Sequence, residues 1–185
     1  MSKGNPRSSG YTRQEYEWYI EPRRAVDELL EVEVFHGTIW DPCCGSGNIP
    51  RACKDRGLKA CGTDIVDRGW KPTIVKDFFE FDTGFTDHII CNPPFSVADL
   101  VTLHGLKLVK GKVAILQRTC WLEGEARYGR LFRLGHLARV WQFRTRISMP
   151  PGAKPEVEAK HGFIAYAWFI FESTHNGLWT GGWLP

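Results

Sequence analysis

Apolar runs recur along the chain, and each ends in a distinctive polar residue. Gly37-Thr38-Ile39-Trp40 runs into Asp41, Leu58 to Thr63 into Asp64, and Pro72 to Lys76 into Asp77. His88 to Cys91 runs into Asn92, and Lys112 to Leu116 into Gln117 and Arg118. These five runs predict strands, spaced widely enough for crossover helices, so the pattern is α/β with a mostly parallel central sheet and helices on both faces. Asn48 to Arg56 and Ser96 to Leu108 are the clearest helices between them. Tyr11 to Val34 also reads as helical, with Pro22 where a helix can begin and Ala25, Val26, Leu29 and Leu30 at helical spacing. Phe163 to Phe171 is aromatic and β-branched, which predicts a buried strand. Leu178 to Leu184 is its expected antiparallel hairpin partner through the turn pair Asn176-Gly177, and Met149 to Pro155 reads as a loop.

Composition adds limits. With 185 residues, 43% hydrophobic and 24% charged, the chain is globular and of single-domain size, with residues 1–10 as a loose tail and 11–185 as the domain. There is no apolar run of about 18 residues and hence no expected membrane span. The six Cys lack C-x-x-C spacing and several lie in apolar runs, so they read as reduced, buried thiols of a cytoplasmic protein with no metal site. Eight Trp must help to build the core or a ring-binding surface. The six His form no catalytic pairing; His88 reads as structural and the others as surface residues.

Two motifs carry chemistry. Asp41-Pro42-Cys43-Cys44-Gly45-Ser46-Gly47 follows a strand and precedes a helix. Its glycines allow a sharp turn and close approach to a ligand, and the next helix aims N–H groups at it. Asp64, at the end of the second strand, can accept both hydroxyls of a ribose. A tight turn with an incidental surface Asp is the competing reading. Pro50 stands where a dinucleotide fingerprint has its third glycine, which argues against NAD. The second motif, Asn92-Pro93-Pro94-Phe95, also follows a strand. Its prolines remove N–H donors, leaving the Asn92 side-chain oxygen and the Pro93 carbonyl as an acceptor pair for an amino group, and Phe95 offers a flat face for a ring.

Together these motifs resemble the S-adenosylmethionine-dependent amino-methyltransferases, most nearly the small phage-type N6-adenine DNA methyltransferases. The resemblance covers most of the chain, including Trp18-Tyr19-Ile20-Glu21-Pro22 ahead of the glycine loop. It implies a Rossmann-like class I methyltransferase fold. It also implies a cofactor site at Tyr19, Glu21, Pro22, Asp41, Cys43, Gly45, Gly47, Asp64 and Asp77, of which Asp64 holds the ribose and Asp77 the adenine amino group. Asn92, Pro93, Pro94 and Phe95 become the site of the target base. The paired Cys43 and Cys44 depart from the family's usual loop. The chain also lacks the length for a separate target-recognition domain, so any sequence reading falls to loops.

One stretch suits that task. Arg118 to Arg146 holds seven Arg, no Lys and two Glu, a net of +5 against +3 for the whole chain. Interleaved with Trp121, Tyr128, Phe132 and Trp141, it fits phosphates and stacked bases. Arg118, Arg127, Arg130 and Arg133 are the candidate contacts, with Lys154 in a second loop; a solvated face is the competing reading. The expected reaction is direct methyl transfer to a flipped-out adenine. Guanine N2 or adenine N6 in RNA, cytosine N4 and a protein glutamine stay open as targets, as does a silent nucleic-acid-binding module. No endonuclease constellation is visible, so a restriction or specificity partner would be a separate protein.

Overall fold

The structure is a computed structural model describing residues 15–71, 73–152 and 164–185. The expected tail, the first residues of the helix expected from Tyr11, Pro72, Phe163 and the end of the second loop with Lys154 lie outside them. The elements run α1 (Arg23–Val32), β1 (Thr38–Asp41), α2 (Asn48–Asp55), β2 (Lys59–Asp64), β3 (Ile74–Val75), β4 (His88–Cys91), α3 (Ala98–Leu108), β5 (Lys112–Arg118), α4 (Glu125–Arg130), β6 (Leu137–Gln142), β7 (Tyr166–Glu172) and β8 (Thr180–Trp183).

All five expected strands form, as do the two helices between them. The first helix is shorter than its expected span and starts at Arg23, with Pro22 extended just before it. A residue ahead of proline is pushed out of the helical region, so Trp18 to Glu21 cannot continue the helix. Instead Ile20 N–H donates to the Pro150 carbonyl at 2.9 Å and Gly152 N–H to the Trp18 carbonyl at 3.0 Å. This short ladder lays residues 18–20 across the mouth of the sheet.

The strands form one sheet in the order β3-β2-β1-β4-β5-β7-β6-β8. Pairings are parallel from β3 to β5, antiparallel on both sides of β7, and parallel again between β6 and β8. Only β7 therefore opposes the common direction. Alternate residues feed two cores. Ile39, Ile90, Ala114, Leu116, Trp168 and Ile170 pack with α1 and α2, whereas Ile89, Val113, Ile115, Phe169 and Phe171 pack with α3. Helices thus cover both faces.

The C-terminus corrects one expectation. Residues 178–184 make no hairpin with β7; β8 pairs in parallel with β6, which lies between them. β6 is the strand hidden in the Arg-rich stretch. It wins the place beside β7 because its apolar Leu137 and Val140 join the α3-side core, whereas β8 is largely exposed and takes the edge. His88 is structural, as expected: Lys112 N–H donates to its Nδ1 at 2.8 Å, and its Nε2 lies 2.9 Å from the His36 carbonyl. His104, His136 and His175 are half-buried rather than surface residues. Cys44, Cys53 and Cys91 are buried, Cys43 and Cys61 half-buried, and Cys120 is exposed, contrary to a uniformly buried set. No helix among the described residues is long and apolar enough to cross a membrane.

Candidate active site

The strand order reverses between β1 and β4, where connections leave to opposite sides and open a crevice at the carboxyl ends of the strands. The polar residues that end the apolar runs line up there in spatial order: Asp77, Asp64, Asp41, Asn92 and Arg118. A cavity of about 470 Å³ opens on this edge.

Its floor is the glycine loop between β1 and α2. Gly45 and Gly47 have φ of +50° and +81°, a region that L side chains rarely enter. A Cβ on Gly45 would also fall 2.7 Å from Trp18 Nε1. Asp64 holds the loop's shape: its carboxylate accepts Gly45 N–H at 2.8 Å and Val66 N–H at 2.9 Å. Asp41 accepts Cys43 N–H at 3.1 Å from beneath. Asp77 accepts Phe79 N–H at 2.9 Å, which turns the chain after β3 toward the cavity.

Asn92 stands at the other wall. Its Nδ2 donates to the Tyr19 carbonyl and to Glu21 Oε2, each at 2.9 Å. Both amide hydrogens are thereby committed, and Oδ1 accepts no hydrogen bond from a described residue. Phe95, two residues into the following turn, lies nearly parallel to Tyr19 (centroids 5.9 Å apart, planes 11°). The Arg118 guanidinium sits 4.4 Å over the Phe95 ring.

Three carboxyls are buried around this point: Glu21, Asp41 and Asp64. Burial pushes Glu21 up to about 7, with the Asn92 bond, its own backbone N–H and Arg51 opposing. Burial, and then the charge of Glu21, hold Asp41 well above the usual carboxylate range. Such a nest favours a cationic ligand, since a positive charge beside the carboxyls would stabilise their ionised forms. Burial likewise raises the Cys44 and Cys91 thiols, which leaves them weak nucleophiles.

Of the residues expected at the site, Tyr19, Glu21, Cys43, Gly45, Asp64, Asp77, Asn92 and Pro94 wall the cavity. Pro22, Asp41, Gly47, Pro93 and Phe95 do not. Pro22 starts α1, Asp41 and Gly47 shape the loop from behind, and Phe95 is covered by Tyr19 and Arg118. Several wall residues are not among the expected site residues, Trp18 and Arg68 among them. Trp18 lies against Gly45 and Gly152 with the Arg68 guanidinium 4.3 Å over its ring. Trp18 stands within the Trp18-Tyr19-Ile20-Glu21-Pro22 segment that carries the resemblance but is given no role there, and Arg68 carries no sequence signal at all.

The Arg-rich stretch does not act as one surface. Arg118 faces Phe95. Arg127 Nη1 donates to the Trp121 and Glu123 carbonyls at 2.9 and 2.6 Å, and Arg130 pairs with Asp99. Arg139 turns to Glu33 and Glu172 at the far end of the sheet. Arg133 is exposed and makes no ion pair among the described residues. Lys154 lies outside the described residues.

No family model and no curated protein matches the sequence. Solved structures do. A candidate RNA methyltransferase from Pyrococcus horikoshii superposes with a TM-score of 0.65 at 19% identity, over 85% of this chain and 87% of that one. The modification subunit of a candidate type I restriction enzyme from Vibrio vulnificus gives 0.60 at 15%, over 89% of this chain. This chain spans 46% of that subunit. Magnesium protoporphyrin IX methyltransferase from Synechocystis, with bound SAM, gives 0.55 at 14%, over 82% and 79%. The fold is therefore that of the class I methyltransferases, as the resemblance implies.

Proposed function

We propose that this chain is an S-adenosylmethionine-dependent amino-methyltransferase whose target is N6 of a flipped-out adenine in DNA. The observation that carries the reading is the juxtaposition, in one cavity, of the glycine loop with an Asn92 whose amide has only its oxygen free. An acceptor without donors suits an amine and repels a carbonyl.

The residues fit the cofactor. The cavity is within the range of about 300–1,000 Å³ typical of small-molecule sites. Gly45 is part of the cavity wall, and Asp64 keeps a second lone pair on each oxygen for ribose hydroxyls. Asp77 would accept from the adenine amino group, and Tyr19, Glu21 and Cys43 would line the methionine end, with Pro22, Asp41 and Gly47 holding the backbone that shapes it. When bound, S-adenosylmethionine supplies a methyl group on a sulfonium, ready for transfer to a nitrogen lone pair.

The protein's part is alignment. Asn92 Oδ1 and the Pro93 carbonyl would accept both amino hydrogens, so that the nitrogen loses conjugation with its ring and turns its lone pair toward the methyl. Pro94 stiffens the turn that holds them. The target ring would stack on Phe95 in place of the Arg118 guanidinium, which the nucleic acid's phosphates would then receive. Of the candidate contacts in the Arg-rich stretch, Arg133 makes no ion pair among the described residues, whereas Arg127 and Arg130 would have to exchange protein partners for phosphate. In this reading the reaction takes place in the cytoplasm, and a separate specificity partner is consistent with the likeness to a modification subunit.

A base in RNA is the second reading, favoured by the likeness to the Pyrococcus candidate along nearly its full length. The test is transfer of labelled methyl to duplex DNA, single-stranded DNA, total RNA and a protein extract in parallel. Label recovered in DNA supports the main reading and label in RNA the second. Label in protein, or none in any fraction, overturns both.

A further inference from the structure

Glu21 makes a contact that cofactor binding does not explain. Its Oε2 accepts an Asn92 Nδ2 hydrogen at 2.9 Å while the Tyr19 carbonyl takes the other. Tyr19 and Glu21 belong to the extended segment ahead of α1, whereas Asn92 follows β4, so two distant segments meet on one amide. The segment itself is held: Asn48 Nδ2 donates to the Glu21 carbonyl at 3.1 Å, and Ile20 and Trp18 pair with the 150–152 loop. A planar primary amide has two faces to offer, donor and acceptor. Unrestrained, Asn92 can turn over and present its NH₂ group to the cavity, where it would meet the hydrogens of a target amine head-on and accept no hydrogen bond from it.

We propose that Glu21 is a positioning residue: with the Tyr19 carbonyl it locks the Asn92 amide so that Oδ1 alone is presented to the target amine. The idea rests on the amino-methyltransferase reading above and adds to it a source of selectivity. A site locked as an acceptor takes the amino-bearing bases and turns away those with a carbonyl at the same position, because two acceptors would face each other unpaired. The lock is strongest when the acceptor is charged.

That charge is conditional. Glu21 is buried, and its carboxyl is raised to about 7 by that burial. The groups that face it are Asn92 after β4, Asp41 at the end of β1 with Asp64 beyond it, and Arg51 on α2. The acids oppose its ionisation and Arg51 favours it. Below about pH 7 Glu21 is protonated, can donate as well as accept, and no longer dictates the orientation of the amide.

The experiment reads the amide itself in the full-length apoprotein, so it does not depend on activity. The side-chain NH₂ pair of Asn92 is identified by ¹⁵N–¹H correlation from its loss in Asn92→Ala. Both protons should resonate as hydrogen-bonded, one of them titrating with a midpoint near pH 7. Glu21→Ala should shift that proton strongly, and Glu21→Gln, which like the protonated acid can donate as well as accept, should hold it at its low-pH position without the titration. In transfer assays at saturating S-adenosylmethionine, Glu21→Ala should lower kcat about 10- to 100-fold, the scale of a misplaced catalytic group. Glu21→Gln should hold kcat at its low-pH level throughout and so lose the acid limb of the pH profile. An Asn92 amide that ignores both pH and Glu21→Ala overturns the proposal. So does a Glu21→Ala variant that loses cofactor affinity but keeps kcat, which would make Glu21 a cofactor ligand only. Failure of the wild type to methylate any substrate would instead sink the methyltransferase reading, while the amide spectra still decide the lock.

Discussion

At Asn92, the proposed reaction turns on which atom of one amide faces the cavity. Asn92→Ala removes the acceptor and leaves the glycine loop untouched. Transfer should fall at least about 100-fold, as when a single transition-state contact is removed, with cofactor affinity by calorimetry within about threefold. Asp64→Ala should do the opposite. It removes the expected ribose acceptor and also frees Gly45 N–H, so affinity should fall tenfold or more; unchanged affinity would contradict its assignment. Glu21 adds a stability signature in the apoprotein. Its folded pKa of about 7 lies above the ordinary carboxylate value, so the ionised form is penalised on folding. Stability is full below about pH 4.5 and is lost as pH rises through about 7. Glu21→Gln should therefore melt higher than wild type at pH 8 and show no such gain at pH 4.5. Asn92, Asp64 and Asp77 are legible in the sequence because each ends an apolar run, and a strand's polar terminus falls at the sheet edge. Trp18 and Arg68 are not, because their contacts come from segments brought together only by the fold.

Among the elements, β6 shows why charge counts mislead. Seven Arg within one stretch read as a single basic face, yet Arg139 sits in a strand and points to Glu33. Glu33 follows α1 and is almost fully buried, where it receives Arg139, Lys112 and Trp141. Burial raises its carboxyl, but these three donors outweigh it and hold it below the usual range. It thus ties the end of α1 to β5 and β6. Glu33→Ala would leave Lys112 without an ion-pair partner among the described residues and Arg139 with Glu172 alone, and should cost about 1–3 kcal/mol, read as a lower urea midpoint at pH 7. Because the folded pKa is depressed, the stabilisation is present above the ordinary carboxylate range and is lost as pH falls through the folded value; the gap between variant and wild type should close in acid. The misplaced hairpin has a similar origin. Asn176-Gly177 signals a turn correctly, but a turn does not say which strand lies beside it, and β7's neighbour is chosen by core packing. At the mouth of the site, Arg118 lies on the face of Phe95 that a target ring needs. Arg118→Ala should weaken binding of a DNA duplex several-fold, with a shallower salt dependence. Equal affinity and an equal salt slope would remove Arg118 from the nucleic-acid surface.

Across the whole molecule, seven strands run one way and one against them, and the carboxyl ends gather a row of polar groups on a single edge. That layout was readable from the chain because parallel strands buried on both faces appear as unbroken apolar runs, and each polar stop then marks the same edge. What the pattern does not carry is the target, which depends on surfaces beyond the amide and the glycine loop. In the proposed reaction Asn92 directs methyl to an exocyclic amine of a DNA base. The most direct measurement is to incubate wild-type protein and Asn92→Ala with labelled S-adenosylmethionine and duplex DNA, digest the DNA to nucleosides and identify the labelled one. N6-methyladenine is expected from the wild type and background from Asn92→Ala. A labelled nucleoside methylated at a ring carbon, or equal labelling by the two proteins, would contradict it.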